Sequence, residues 1–199
     1  RAAGLRLVPV DRFDDRTDEV WAAASPDYPV VAVRDAAVTR WRLDDRPDAD
    51  RLRRFYLERR GRTIGYVAVR PTTWSGERAA VVVDYLAPVR WVAPLLTLTA
   101  IRSRRDGAVA LTCKTLNRGA DRSLRAAGFL RRDRGTDPAI RFMFRCVEGE
   151  ARSRLVDDPA NWLITSADSD LEQALTPGDG PDGRDPRAGA VPSSEPVSR

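Results

Sequence analysis

The chain has 199 residues, 42% apolar and 32% charged with a net charge of +5, a composition that predicts a soluble protein with one full-sized core. No apolar run approaches the roughly 18 residues of a membrane span, and RAAGLRLVPV at the start has no signal-peptide core, so a cytoplasmic location is expected. The absence of histidine excludes a Ser-His-Asp triad, and two cysteines, Cys113 and Cys146, are too few for a zinc cluster or a disulfide framework; no metal site is expected.

Taken in order, residues 5–10 (LRLVPV) predict a strand and residues 14–24 a short helix around Val20 and Trp21. Residues 34–43 predict a second helix, ended before Pro47. Three strands follow at 51–60, 62–70 and 79–86, separated by a turn at Gly61-Arg62 and a second at 71–76, PTTWSG. That is an antiparallel meander.

The grammar then changes. A helix is expected over 92–105, with Pro94 in its first turn and Arg102, Arg104 and Arg105 at its end before Gly107. A strand at 108–116 leads to a helix with Asn117 as N-cap, Ala120, Leu124 and Ala127 on one face, and Gly128-Phe129 as a left-handed stop. A strand at 139–147 follows, and 162–165 reads as a further edge strand. The fold class is therefore α+β, a mixed sheet in which an antiparallel meander precedes β-α-β-α-β with a central parallel pair. Residues 1–171 form the domain. Residues 172–199 are expected to be a disordered tail, since from Thr176 onward Pro, Gly and Ser dominate and large apolar residues are almost absent.

Other chemistry is thin. Lys114, the only lysine, follows Cys113 and not the glycine of a phosphate-binding loop, and no GxSxG is present. Aromatic residues are sparse at 7%, and no RNP, helix-turn-helix or zinc-knuckle pattern interleaves them with the basic run of Arg51, Arg53, Arg54, Arg59, Arg60 and Arg62, so it reads as a solvated face and nucleic-acid binding is not expected. Cys113 and Cys146 lie in apolar segments and read as packing residues. The acidic run 168–172 lacks the spacing of a calcium loop.

One segment carries a resemblance. Asn117, Ala120, Leu124 and Gly128-Phe129, spaced N-x-x-A-x-x-x-L-x-x-x-G-F after a strand, resemble the fourth-helix motif of the GNAT acyltransferase family, in which the third fixed position, here Leu124, is a tyrosine. RDAAVTRWRLDDRP at 34–47, VVVDYLA at 81–87, LRAAGF at 124–129 and NWLITSADSD at 161–170 resemble the C-terminal half of bacterial proteins with two GNAT-like halves. Arg1 in place of Met suits a fragment of such a protein. The resemblance implies transfer of an acyl group, as N-acetylation, from acetyl-CoA to a small-molecule amine. It also implies a partner, a catalytic GNAT half elsewhere in the full-length protein.

The resemblance assigns acetyl-CoA contacts to Leu86, Ala87, Arg90 and Asn117, and places Trp41 and Arg42 on the acceptor side, where an arginine beside a tryptophan would hold a carboxylate or flat substrate. Family members hold the pyrophosphate at a helix N-terminus through R/Q-x-x-G-x-G/A. Here the corresponding residues, 88–94, read PVRWVAP, without glycine and with two prolines. The tyrosine that protonates the leaving thiolate in the family is replaced by Leu124. Asp84, which interrupts an apolar strand, is the candidate general base; the alternative is a buried aspartate paired with an arginine. Glu58 and Tyr85 are weaker candidates. The competing reading is a non-catalytic, degenerate half that packs on or assists a catalytic one.

Overall fold

The computed structural model describes residues 4–74, 76–131 and 150–168, with backbone only for 150–153. The predicted strand at 139–147, Cys146 and the predicted tail lie outside the described residues.

Strand β1 (Leu5–Val10) leads to α1 (Arg16–Ala24), whose buried Thr17, Val20 and Ala24 recur at helical spacing and whose first turn carries Asp18 and Glu19 against the positive end of the helix dipole. Pro26 ends it in a single tight turn, Ser25–Asp27. The two-residue strand β2 (Val30–Val31) and α2 (Ala36–Thr39) follow, the latter capped by Asp35 through the Val38 amide at 2.8 Å. The helix predicted over 34–43 is thus shorter in its regular part, and continues as a wider-wound turn, Arg40–Asp44.

The meander is β3 (Arg53–Arg59), β4 (Arg62–Trp74) and β5 (Glu77–Leu86). Its first turn centres on Arg60 and Gly61, both with positive φ (49° and 78°), one residue earlier than the sequence suggests. The second differs more: 71–74 continue β4, paired with Ala80 down to Glu77, and the reversal falls only after Trp74. PTTW alternates exposed and half-buried positions, which strand pairing satisfies as well as a loop does.

Helix α3 (Val89–Arg105) carries the chain to β6 (Ala110–Cys113), α4 (Arg118–Ala126), α5 (Glu150–Asp157) and β7 (Trp162–Leu163). The main sheet has the order β1-β3-β4-β5-β6, antiparallel except for the parallel β5-β6 pair across which α3 passes. This is the mixed α+β sheet read from the sequence. Strand β7 corrects one expectation, because it pairs in parallel with β2 in a separate two-stranded sheet and not with the edge of the main one. Helix α3 also begins earlier than expected, so Pro94 is its sixth residue and not part of its first turn.

Two faces follow from the strand register. Tyr56 of β3 pairs with Tyr66 of β4, and Phe13 meets both rings at 5.4 and 5.0 Å between centroids, so the residues around the start of α1 cover that face. Neighbouring Phe55 points the other way, where Arg102 of α3 lies over its ring at 5.7 Å. A bulge then decides where Asp84 goes: Ala68 pairs with Asp84 but Val69 with Val82, leaving Val83 as the extra residue. The phase of β5 flips there, so Ala80 and Val82 face α3 whereas Asp84 joins the Tyr66 face. Val92, Leu95 and Leu96 of α3 are fully buried, each stabilising the fold by about 1.5–3 kcal/mol relative to exposure.

Candidate functional site

Strands β5 and β6 pair only from Ala79 to Val82, so the end of β5 has no strand beside it on that edge among the described residues. The gap is not open. The segment after β7 enters it, with Leu163, Ile164, Thr165 and Ser166 all buried, and its polar groups close on Asp84.

Asp84 is 1% exposed and bonded on both oxygens. Oδ1 accepts from Arg34 Nε at 3.2 Å and from the Thr165 hydroxyl at 2.8 Å, and Oδ2 accepts from the Tyr66 hydroxyl at 2.8 Å. Arg34, itself 1% exposed, also donates to the Ala32 carbonyl at 3.1 Å and ion-pairs with Asp168. Asp168 in turn accepts from Arg42 at 2.7 Å and from the Thr165 amide at 2.8 Å. Arg34 and Arg42 against Asp84 and Asp168 make the cluster electrically neutral, the condition under which buried charges are tolerated.

The titration behaviour follows from this enclosure. Burial alone would lower the affinity of Arg34 for its proton, but Asp84 and Asp168 overcompensate and raise it above the ordinary guanidinium value. Burial and the adjacent Asp84 push the Tyr66 hydroxyl well above the usual phenol range. For Asp168, burial works against the charge, yet Arg34, the Thr165 amide and Arg42 hold its carboxyl below the ordinary aspartate value. Asp84 therefore matches the second of the two readings open to it, a buried aspartate paired with arginine.

The turn from β5 into α3 is the second half of the site. Its helix starts at Val89, with Pro88 in the N-cap position and no side-chain cap of its own. The cap comes from elsewhere: the Val89 amide donates to Asp27 Oδ2 at 2.8 Å, and the Trp91 amide turns back to the Pro88 carbonyl at 2.7 Å. The next residue of the same short turn, Tyr28, donates its hydroxyl to the Ala87 carbonyl at 2.7 Å. A carboxylate thus sits at the position where a helix N-terminus would take an anionic ligand. Leu86 and Ala87 are fully buried, and Ala87 is pressed against β4: a side chain at Gly65 would come within 2.8 Å of the Ala87 Cβ.

The other predicted residues fall in several places. Asn117 caps α4 through the Gly119 and Ala120 amides at 2.9 and 3.0 Å, and Gly128 with φ of +85° ends it, as the motif spacing suggests. Its amide group also reaches the Ala160 carbonyl at 3.4 Å, tying α4 to the segment that fills the gap. Leu124 is buried in the core. Arg90 is exposed at the second residue of α3. Trp41 and Arg42 lie in different surroundings: Trp41 is 68% exposed, while Arg42 belongs to the Asp168 cluster.

Glu58 lies away from Asp84 and is held by Arg6 at 2.7 Å and Arg16 at 3.5 Å. Burial pushes the Tyr85 hydroxyl and the Cys113 thiol up, which disfavours the reactive thiolate at Cys113. Among the described residues no cluster could hold a metal ion, and no helix is long and apolar enough to cross a membrane. Sequence reasoning missed Arg34, Tyr66 and Thr165 as members of the cluster, and Asp27 and Tyr28 as its neighbours at the turn. Arg34 and Thr165 stand inside the segments that carry the two-half resemblance, but no local spacing marks either.

No protein-family model matches the chain, and no curated protein matches it. Solved structures do. A GNAT family acetyltransferase from Staphylococcus aureus is 13% identical, aligns over 69% of this chain and 99% of its own, and superposes with a TM-score of 0.47. An aminoglycoside acetyltransferase from an uncultured soil metagenomic sample, in complex with sisomicin, is 12% identical over 72% and 97% at 0.46. A ribosomal-protein-alanine N-acetyltransferase from Brucella melitensis is 13% identical over 70% and 99%, also at 0.46. The chain is similar to these proteins in the course of its backbone, and the chemistry assigned below rests on its own residues.

Proposed function

We propose that this chain is a non-catalytic, GNAT-like half that does not take up acyl-CoA and that packs on or assists a catalytic half. The observation that carries the reading is the Asp27 carboxylate on the Val89 amide at the start of α3. A pyrophosphate brought to that amide would have to displace a like charge; two unit charges about 4 Å apart repel by about 1 kcal/mol in water and about 4 kcal/mol near a protein surface. Acetyl-CoA does not fit these residues.

The polar cluster supports the same reading. A general base needs a free lone pair facing its substrate, and both oxygens of Asp84 are engaged, one of them by a permanently charged guanidinium. At the position of the family's proton-donating tyrosine stands Leu124, which has no proton to give.

A second reading, an acyl-CoA-dependent N-acyltransferase acting on an amine, keeps one observation: Arg90 is exposed at the second residue of α3, where a guanidinium would pair with phosphate. Calorimetric titration with acetyl-CoA separates the two. Losing two contacts to a charged group at about 1.5–3 kcal/mol each weakens binding by roughly two to four orders of magnitude, so no binding is expected at sub-millimolar ligand. Micromolar binding that Arg90→Ala abolishes would establish the second reading.

A further inference from the structure

The opposite end of α3 carries a cavity that the reading above does not use. It lies on the Phe55 face of the sheet, under the last turns of α3, with a volume of about 370 Å³, within the range of small-molecule sites. Ser103 is fourteen residues along the helix from Val89, or roughly 20 Å at 1.5 Å per residue, so the cavity is separate from the closed turn.

Its floor is apolar: Phe55, Val69, Pro71 and Ala80 all face it, the last because the bulge at Val83 leaves the first half of β5 in phase with this side. Its rim is cationic. Arg53, Arg78 and Arg102 stand against a single carboxylate, Asp106, and thus leave an excess of two positive charges. Arg53 and Arg102 are already committed, both donating to Asp106 Oδ2, at 2.5 and 3.1 Å. Together with Arg104 and Arg105 they also answer the negative end of the α3 dipole.

Arg78 is different. Its backbone carbonyl takes the Val109 amide at 2.8 Å, which fixes the residue at the cavity edge. Its side chain lies across Gly107, where a Cβ would meet Nη1 at 3.3 Å. No hydrogen bond or ion pair engages its guanidinium among the described residues. Gly107, at φ of +90°, is what leaves room for it.

We propose that this cavity binds a small organic anion, its apolar body on Phe55, Val69, Pro71 and Ala80 and its anionic group paired with Arg78. A guanidinium binds carboxylate and phosphate in the same bidentate geometry, so the shared chemistry is an oxyanion on a flat or apolar scaffold. Arg53 and Arg102 set the field around it.

The test is calorimetric titration of the full chain with naphthoate, naphthyl phosphate and the cation naphthylmethylammonium. Binding of either anion at sub-millimolar to low-millimolar concentration, with none by the cation, is the expected result, and the tighter anion identifies carboxylate or phosphate as the natural group. Arg78→Ala should weaken it by about tenfold or more with an unchanged melting temperature. Thr73→Trp, which places a large ring at the exposed mouth, should abolish it without touching the charge. The proposal is overturned if neither anion binds, if the cation binds as well as the anions, or if both variants bind like the wild type.

Discussion

The two ends of α3 differ in one respect that organises the molecule. At the N-terminal end the chain supplies its own partners: Asp27 for the Val89 amide, Tyr28 for the Ala87 carbonyl, Thr165 and Arg34 for Asp84. At the C-terminal end the opposite holds, with an open cavity lined by Arg78, whose guanidinium has no hydrogen-bond or ion-pair partner among the described residues. A helix N-terminus is by its dipole the better anion site of the two. This one is filled by the protein's own carboxylate, while the open cavity lies at the end where only side chains can attract an anion, so the proposed ligand preference rests on side-chain placement and not on the fold.

The comparison is broken most severely by removing Arg34. Arg34→Met leaves Asp84 and Asp168 buried without their shared cation, and breaking such a pair costs about 3–5 kcal/mol, to be read as a fall in the urea midpoint. Arg78→Met at the other end should change the midpoint little, since no ion pair engages it among the described residues. Equal losses at both ends would mean that the contrast is not real.

A smaller effect is expected at Gly65. An added methyl would meet the Ala87 Cβ at 2.8 Å and the Leu86 carbonyl oxygen at 3.0 Å, and because β4 and β5 are both buried there, neither can give easily. Gly65→Ala should cost about 1–3 kcal/mol by overpacking. Asn117→Ala removes two amide contacts at the start of α4 and the link to Ala160, for about 0.5–2 kcal/mol. Faster hydrogen exchange at Trp162 to Thr165 in that variant, with β3 and β4 unaffected, would sharpen the picture of a segment pinned into the gap.

The smallest effect is on pH dependence. The carboxyl of Asp168 lies below its unfolded value, so in the window between the two the unfolded chain binds more protons and stability rises with pH. The contribution is complete above the ordinary aspartate pKa of about 4 and is lost as pH falls through the depressed folded value. Asp168→Asn should flatten the acid limb of a stability profile and leave neutral pH dependence unchanged.

What the sequence disclosed divides along the same line. The meander, the parallel pair with its crossing helix, the Asn117 cap and the Gly128 stop were all legible, because each depends on residues within one turn or one strand. The closure of the site was not. It is made by Asp27, which reaches the first residue of α3 from a separation of 62 residues, and by Arg34 and Thr165, which reach Asp84 of β5 from 50 and 81, and no local spacing encodes contacts of that range. The glycine-free 88–94 segment did announce a departure from ordinary pyrophosphate binding, but not that an aspartate stands there instead. The position of Pro94 was misread for a related reason: the N-cap is a proline whose capping partner comes from a distant turn, so the sequence carries no local start signal.

The central claim is that the start of α3 is already occupied by the chain itself. Its most direct test is an amide-resolved NMR titration with acetyl-CoA, following Val89, Arg90, Trp91 and Val92. The account predicts that these resonances stay in place up to millimolar ligand and that the Val89 amide responds instead to Asp27→Ala. Saturable shifts of the four amides at micromolar acetyl-CoA would contradict it.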